Sequence, residues 1–211
     1  HDNGNTYRVI WSRLTEAGYF VREQIMNSCE YGNLPQNRER IYIVGFRDQN
    51  VYERFYFPRP IPLTTKLSDC INMVEPEQEN FYYRQGTCPF YETLALGVTH
   101  SNTLYQWRRH YVRQNRRGLC PTLTANMGTG GHNVPIVKTK FGIRRLTPRE
   151  CFNFMGYPKD YKLPALNNSC LYKQAGNSVT VPVIKRIAEA MKSAIEEQEP
   201  RIERYQQLQL F

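Results

Sequence analysis

Acidic residues are missing from one long stretch of this sequence. Between Ser101 and Arg149 there is neither aspartate nor glutamate, yet the stretch carries Arg108, Arg109, Arg113, Arg116, Arg117, Lys138, Lys140, Arg144, Arg145 and Arg149. Solvated basic faces usually include acids as partners, so the asymmetry points to an anionic partner. The whole chain leans the same way, with 211 residues, a net charge of +9 and a pI near 9.3. Nucleic acid is the simplest explanation of that charge.

Other absences narrow the field further. No run of about 18 apolar residues is present to span a membrane, and no secretory signal pattern opens the chain. Cys29, Cys70, Cys88, Cys120, Cys151 and Cys170 form no CxxC pair and have no histidine at ligand spacing. That scatter argues against a zinc framework and predicts reduced, mostly buried thiols of a cytosolic protein, with no metal site. There is no internal repeat and no low-complexity tract. The first residue is His1 rather than methionine, which leads us to expect a chain that begins partway through something longer, or one that has been trimmed.

The most informative segment runs from Asn33 to Arg47. Ile41 to Phe46 is a nearly continuous apolar run, rich in β-branched and aromatic residues, and predicts a strand buried on both faces. Pro35 fixes the backbone before it. Gln36, Arg38 and Arg40 alternate, so an extended chain would aim them to one side. Two guanidiniums and an amide so placed could grip a phosphate or a base edge. They could equally be a solvated lead-in to the strand.

Upstream, Asn5 or Thr6 can cap a helix carrying Val9, Ile10, Leu14 and Ala17, ended by Gly18. Tyr19 to Met26 reads as a strand. Helix, strand, strand is the tail of an α/β sheet, not a whole one. From about Asp48 to Phe141 prolines and aromatics are frequent and helical periodicity is weak, apart from a helix-like piece at Lys66–Ile71. Short strands and loops of a small separate domain are expected there. Tyr105, Trp107, His110 and Tyr111 lie among the first arginines, as a surface that tracks phosphates and contacts bases would require.

Thr122 and Thr124 alternate as hydroxyls on one face of a strand would, followed by Gly128, Gly130 and Gly131, a flexible loop that can approach a backbone closely. The spacing is not a dinucleotide fingerprint, and a simple hairpin turn is the other reading. Thr147, Pro148 and Glu150 make a capping box with proline at the first helical position. Cys151, Phe154 and Met155 supply the apolar face, and Gly156 ends the helix. Finally, Gln174 to Val179 precedes a long helix with a stripe of Ile184, Ile187, Ala188, Met191 and Ile195. Amides at such a helix start favour anionic groups.

Three blocks now stand in order: Gln36-Asn-Arg38-Glu-Arg40, Arg145-Leu-Thr-Pro-Arg149-Glu150-Cys, and Gln174-Ala-Gly176-Asn177-Ser178-Val179. Together they resemble the last motifs of the DNA (cytosine-5)-methyltransferases. The basic segment between the first two blocks resembles that family's target-recognition domain. Thr122-Leu-Thr-Ala with its glycine-rich loop resembles the DNA-facing strand and loop, and His1-Asp-Asn-Gly-Asn-Thr the tail of the block after the catalytic glutamate. The resemblance covers nearly the whole chain. It implies the C-terminal part of a Rossmann-like, S-adenosylmethionine-dependent α/β sheet with an inserted, mostly β recognition domain. The divisions it implies are 1–52 and 144–211 for the catalytic domain and 53–143 for recognition.

By that resemblance the catalytic side chains of this chain would be Arg40, on the flipped cytosine or its phosphate, with Arg38 and Gln36 holding the strand and its neighbours. Asn177, Ser178 and Val179 would bind S-adenosylmethionine. Thr122 would bind a phosphate near the flipped nucleotide, and Thr124, Gly130, Arg108, Arg109, Arg113, Arg116 and Arg117 would face double-stranded DNA. Arg145 and Arg149 would brace the domains. Base flipping is needed because the reacting ring atoms are unreachable in a stacked duplex. The family's nucleophile is a cysteine after a proline, and its catalytic glutamate lies in a Glu-Asn-Val block. Here Cys88 and Cys120 precede prolines, and Glu79-Asn80-Phe81 lacks an apolar strand leading into it.

The expectation is therefore the C-terminal half of a bacterial restriction–modification enzyme, cytoplasmic and nucleoid-associated. It would be inactive alone and completed by an N-terminal half from the same protein or a second chain. The alternatives are a non-catalytic DNA-binding specificity subunit and RNA methylation by a related enzyme.

Overall fold

Residues 4–115, 118–129 and 133–196 are described by the computed structural model, and backbone contacts group them into two units. One draws on 4–26, 40–59 and 184–196, the other on 27–39 and 60–183. In chain order the elements are α1 (Asn5–Glu16), β1 (Phe20–Asn27), α2 (Ser28–Tyr31), β2 (Glu39–Phe46), α3 (Gln49–Arg54), α4 (Leu67–Cys70) and α5 (Tyr91–Gly97). Then come β3 (Tyr105–Arg108), β4 (Tyr111–Gln114), β5 (Ile136–Thr139), β6 (Gly142–Arg145), α6 (Pro148–Phe154), α7 (Asn168–Asn177) and α8 (Val181–Ile195).

In the first unit Gly4 and Gly18 take left-handed φ angles of 78° and 82° at the two ends of α1. Glycine adopts that region without the Cβ clash that other residues meet. No residue of α1 is buried. β1 and β2 form a two-stranded sheet. Of the run expected to be buried on both faces, only Val44 and Phe46 are buried, while Ile41 is 47% exposed. A sheet of two strands offers too few neighbours to cover both faces of either. Asp48 caps α3 by accepting from the Asn50 and Val51 amides, and Phe46, Phe55 and Phe57 pack ring on ring at 5.2 and 5.0 Å.

The buried stripe of α8 keeps Ile187 from the expected set but is otherwise rotated. Val183, Ile187 and Ala194 are buried, whereas Ile184, Ala188 and Ile195 are exposed and Met191 is half-buried. Both sets recur at helical spacing, so periodicity alone did not choose between them.

The second unit holds a four-stranded antiparallel sheet in the order β4-β3-β5-β6. Leu94, Val98, Tyr105, Ile136 and Ile143 form one core cluster, and Phe90 stacks on Trp107 at 4.4 Å. A larger cluster includes Leu104, Cys120, Leu123, Met127, Leu146, Cys151, Phe154, Met155 and Ala175. α6 begins as its capping box predicts, with Thr147 Oγ1 accepting from the Glu150 amide and Glu150 accepting from the Thr147 amide. Asn167 caps α7.

The mixed α/β class is the expected one. Three local readings change. Residues 121–124 form no strand, although Thr124 is extended, and Ala125–Gly128 is a 3-10 turn. Gly128 is packed, not free: a Cβ there would sit 2.5 Å from the Ser169 carbonyl. Gly176 is tighter still, at 2.1 Å from the Thr124 carbonyl carbon. The two glycines let the 3-10 turn lie directly on α7. Gln174–Asn177 is the last turn of α7 rather than a loop before a helix. Its exposed backbone groups are therefore carbonyls, and the amide-rich start belongs to α8 at Val181.

Candidate active site

The Arg38 side chain is the hub of the second unit. Its guanidinium donates to the carbonyls of Leu123 at 2.6 Å, Gly176 at 3.1 Å and Ser178 at 2.9 Å. Its own amide donates to Asn27 Oδ1 at 3.1 Å, and its carbonyl accepts from the Ser28 amide at 3.0 Å. One rigid fork thus joins segments more than a hundred residues apart, the geometry that favours arginine over lysine. Gln36 is fully buried, with Nε2 donating to the Phe154 carbonyl at 2.7 Å. Its backbone forms an isolated parallel bridge with Cys120.

Gln36 and Arg38 therefore point inward and cannot touch a base or phosphate. Arg40 is exposed, on β2 in the first unit. The alternation expected of all three does not hold, because the regular strand begins only at Glu39. Thr122 donates from Oγ1 to the Asn37 carbonyl at 2.7 Å and stitches its segment to the Gln36 loop. Thr124 is exposed.

Around Ser178 the chain builds an open pocket of about 580 Å³, lined by Phe152, Tyr157, Tyr161, Lys173, Asn177 and Ser178 among others. The Ser178 and Tyr157 hydroxyls lie 2.8 Å apart. Tyr157 packs edge-on against Phe152 at 5.0 Å and against Tyr161 at 4.8 Å. Asn177 is exposed at the end of α7, and Val179 is exposed in the link to α8. Buried Ser28 and Thr180 hydroxyls meet at 2.8 Å beneath that link.

The expected DNA-facing cations separate into two groups. Arg108 and Arg109 sit at the tip of the β3–β4 hairpin, Arg109 with φ at +55°, and Arg113 lies on β4; all three are exposed. Arg116, Arg117 and Gly130 fall outside the described residues. Arg144 is entirely buried, Arg145 donates to the Asn80 carbonyl at 2.9 Å, and Arg149 donates to the Tyr161 carbonyl. Of the aromatics among the arginines, Tyr105 and Trp107 belong to the core, and Tyr111 is exposed.

Sequence reasoning missed Arg144. Its Nη1 and Nη2 meet the Glu150 carboxylate at 2.8 and 2.7 Å, with side chains 0% and 2% exposed. Glu150 also accepts from the Asn72 and Thr147 amides, each at 2.8 Å. The available signal was the capping glutamate itself, a buried carboxylate with a second oxygen to satisfy. Glu79 pairs bidentately with Arg84 at 2.6 and 3.0 Å on a 3-10 turn.

All six cysteines are free. Burial pushes the Cys70 thiol up to about 12, with the Asp69 charge adding to it. Burial likewise raises Cys120 and Cys151 well above the usual thiol range. These three are held as neutral thiols, the opposite of an activated nucleophile. Among the described residues no group of three or more His, Cys, Asp or Glu side chains is placed to hold a metal, and no helix is long and apolar enough to cross a membrane.

The family model for the C-5 cytosine-specific DNA methylases matches residues 1–193. The chain belongs to that family. It is 60% identical over 189 residues to the type II methyltransferase M.Bsp6I of Bacillus sp. (strain RFL6), covering 90% of this chain and 60% of that protein. It is 35% identical over 211 residues to M.HhaI of Haemophilus parahaemolyticus, covering 92% of this chain and 60% of that protein. The chain thus spans about 60% of the length of these curated relatives. Among solved structures, the Entamoeba histolytica methyltransferase EhMeth aligns with a TM-score of 0.63 at 15% identity over 92% of this chain and 59% of that one. The S. pombe Dnmt2 methyltransferase aligns with a TM-score of 0.62 at 14% identity over 90% and 64%. Those likenesses carry the fold. The sequence relatives carry the family.

Proposed function

We propose that this chain is the C-terminal part of a sequence-specific DNA cytosine-5 methyltransferase of a bacterial restriction–modification system, acting in the cytoplasm at the nucleoid. The observation that carries the reading is the convergence on Arg38: the Gln36–Arg40 block, the Thr122–Thr124 segment and the Gly176–Ser178 block meet at one guanidinium. Residues 53–143 form the target-recognition domain, and 1–52 with 144–211 belong to the catalytic domain. The cysteine nucleophile and the catalytic glutamate come from a polypeptide segment carrying the Pro-Cys and Glu-Asn-Val blocks.

The division of labour follows from burial and charge. Arg108, Arg109 and Arg113 contact the phosphates and base edges of double-stranded DNA from an exposed hairpin. Arg40, exposed on β2, contacts the flipped cytosine or its phosphate. Arg38 and Gln36 act indirectly, by fixing the backbone of the segments they join. The cavity at Asn177 and Ser178 suits S-adenosylmethionine, because an amide, a hydroxyl and aromatic faces match a ligand with a polar amino-acid end and a ring system. When bound, that group supplies the methyl transferred to C5 of cytosine. Asn177 and Ser178 hold and orient it.

Methyl transfer to duplex DNA tests the reading. The chain alone should show none, and activity should appear when it is combined with a segment bearing the missing blocks. Arg40→Ala and Ser178→Ala should each cripple that activity. Activity of the isolated chain would contradict the roles assigned. DNA binding retained with no transfer in any combination would favour a specificity subunit instead.

A further inference from the structure

The Asn27 and Asn37 side chains meet end to end, and the backbone decides which end of each faces which. Asn27 Oδ1 accepts from two main-chain amides, Arg38 at 3.1 Å and Cys29 at 3.4 Å. A main-chain N–H can only donate, so the Asn27 oxygen is fixed there and its Nδ2 is the donor at the other side. That nitrogen lies 2.6 Å from Asn37 Oδ1. Turning Asn37 over would set donor against donor, so Asn37 keeps its oxygen on Asn27 and its Nδ2 away from it. The main chain of Asn37 is held as well. Its amide donates to the Cys120 carbonyl at 2.8 Å, and its carbonyl accepts from Thr122 Oγ1 at 2.7 Å. Asn37 is exposed, and its Nδ2 has no partner among the described residues.

Asn37 lines an open cleft of about 710 Å³, together with Asn27, Glu30, Tyr111, Arg113 and Gln114 among others. Tyr111, Arg113 and Gln114 belong to β4, so the cleft borders the hairpin assigned above to DNA. Arg113 offsets the Glu30 carboxylate in that lining. Thr122, the hydroxyl expected to meet a phosphate, spends its single proton on the Asn37 carbonyl, which can only accept. The donor left at this junction is Asn37 Nδ2. An asparagine that reads adenine uses its oxygen and its nitrogen together. With the oxygen engaged, Asn37 can only donate, which suits the acceptor-only surface of a phosphate.

We infer that Asn37 is a further DNA-contact residue: its Nδ2, held in place by Asn27 and by the Cys120 and Thr122 segments, donates to a backbone phosphate oxygen of duplex DNA lying along the cleft beside Arg113. This deepens, and rests on, the reading of the chain as a DNA-binding part of a methyltransferase. It adds one neutral, rigidly held contact to the arginines of the hairpin.

Fluorescence-anisotropy titration of the chain with several duplexes of unrelated sequence is the test. Asn37→Asp keeps an oxygen for Asn27 and both main-chain bonds, but turns an anionic oxygen toward the cleft where the amine was. Loss of a hydrogen bond to a charged group raises Kd by about 10- to 100-fold, and Asn37→Asp should reach at least that on every duplex, with its melting temperature within a degree or two of the parent. Asn37→Ala removes the donor without adding charge. It should raise Kd by about 10-fold or more on every duplex and leave the slope of log K against log salt unchanged, because a neutral amide displaces no counterion. Should Asn37→Asp fail to fold, Asn37→Ala decides alone. An unchanged Kd in either variant overturns the inference: in Asn37→Asp it leaves Asn37 a structural tie, and in Asn37→Ala it reduces the effect of aspartate to charge repulsion. A loss confined to one sequence places the contact on a base edge and overturns the inference while DNA binding stands. No binding of any duplex by the parent removes the DNA reading and this inference with it.

Discussion

Arg144 and Glu150 give the sharpest stability prediction. The pair is bidentate and wholly out of water, with the two side chains 0% and 2% exposed. Its hydrogen bonds to Asn72, Thr147 and Arg145 join β6, the start of α6 and the segment after α4. Truncating one partner leaves a charge stranded in the core, at a cost of about 3–5 kcal/mol. For a chain of this size each kcal/mol moves the melting temperature by about 2–4 °C, so Arg144→Met should lower it by about 6–20 °C. Arg144→Met combined with Glu150→Leu removes both charges. It still orphans the Asn72 and Thr147 amides, the latter being the reciprocal half of the capping box, so recovery is partial. The double variant should nevertheless lie above the sum of the singles by a coupling of about 2–3 kcal/mol. Urea unfolding of the four proteins measures each corner of the cycle. Additive effects, or a loss under about 1 kcal/mol for Arg144→Met, would refute the claim that this pair braces the unit.

Three further outcomes follow from the same structure. Gly176→Ala should destabilise the fold by about 1–3 kcal/mol or prevent folding, because the new methyl meets backbone at 2.1 Å, and circular-dichroism melts read it directly. In duplex-DNA titrations, replacing Arg108, Arg109 and Arg113 with alanine should flatten the dependence of log K on log salt by about 0.9 for each phosphate no longer neutralised; an unchanged slope would remove the hairpin from the interface. The third concerns alkali. The folded chain keeps the Cys70 proton up to about pH 12, whereas the unfolded thiol releases it near 9. The unfolded state therefore binds fewer protons over that interval, and stability should fall as pH rises from about 9 toward 12. Urea midpoints of Cys70→Ala across that range should decline less steeply than those of the parent.

Local signals in the sequence were read well where one short segment contains the whole argument. The α6 capping box needs only Thr147, Pro148 and Glu150, and it forms as expected. α1 and β1 fall within a residue or two of their expected ends, although α1 is preceded by Gly4 with no side-chain cap in place of the expected Asn5 or Thr6 cap. What failed depended on distant partners. Of the expected α8 stripe Ile187 is buried, but Val183 and Ala194 are buried with it in place of Ile184 and Ile195. Periodicity gives the spacing of a face, but the elements packed on the helix choose which face is buried. Thr122–Thr124 looked like a strand by alternation, yet its hydrogen-bonding partner is the Gln36–Asn37 loop, some 85 residues earlier. The Gly-rich stretch looked flexible, but Gly128 is small because α7 passes over it.

The same distinction governs how the polar motifs should be interpreted. A string of arginines in an acid-free stretch reads as a surface, and the hairpin arginines do lie on one. Arg144, from the same string, is matched by a glutamate just beyond its end and disappears into the core. Gln36 and Arg38 likewise satisfy backbone carbonyls instead of facing solvent. Burying a guanidinium is costly unless its donors are paired, so three carbonyls converging on Arg38 mark a position selected for geometry rather than for contact with a charged ligand. A loss of methyl transfer in an Arg38 variant would therefore reflect displaced Leu123, Gly176 and Ser178 backbones. Of the two arginines in this block, Arg40 is the exposed one.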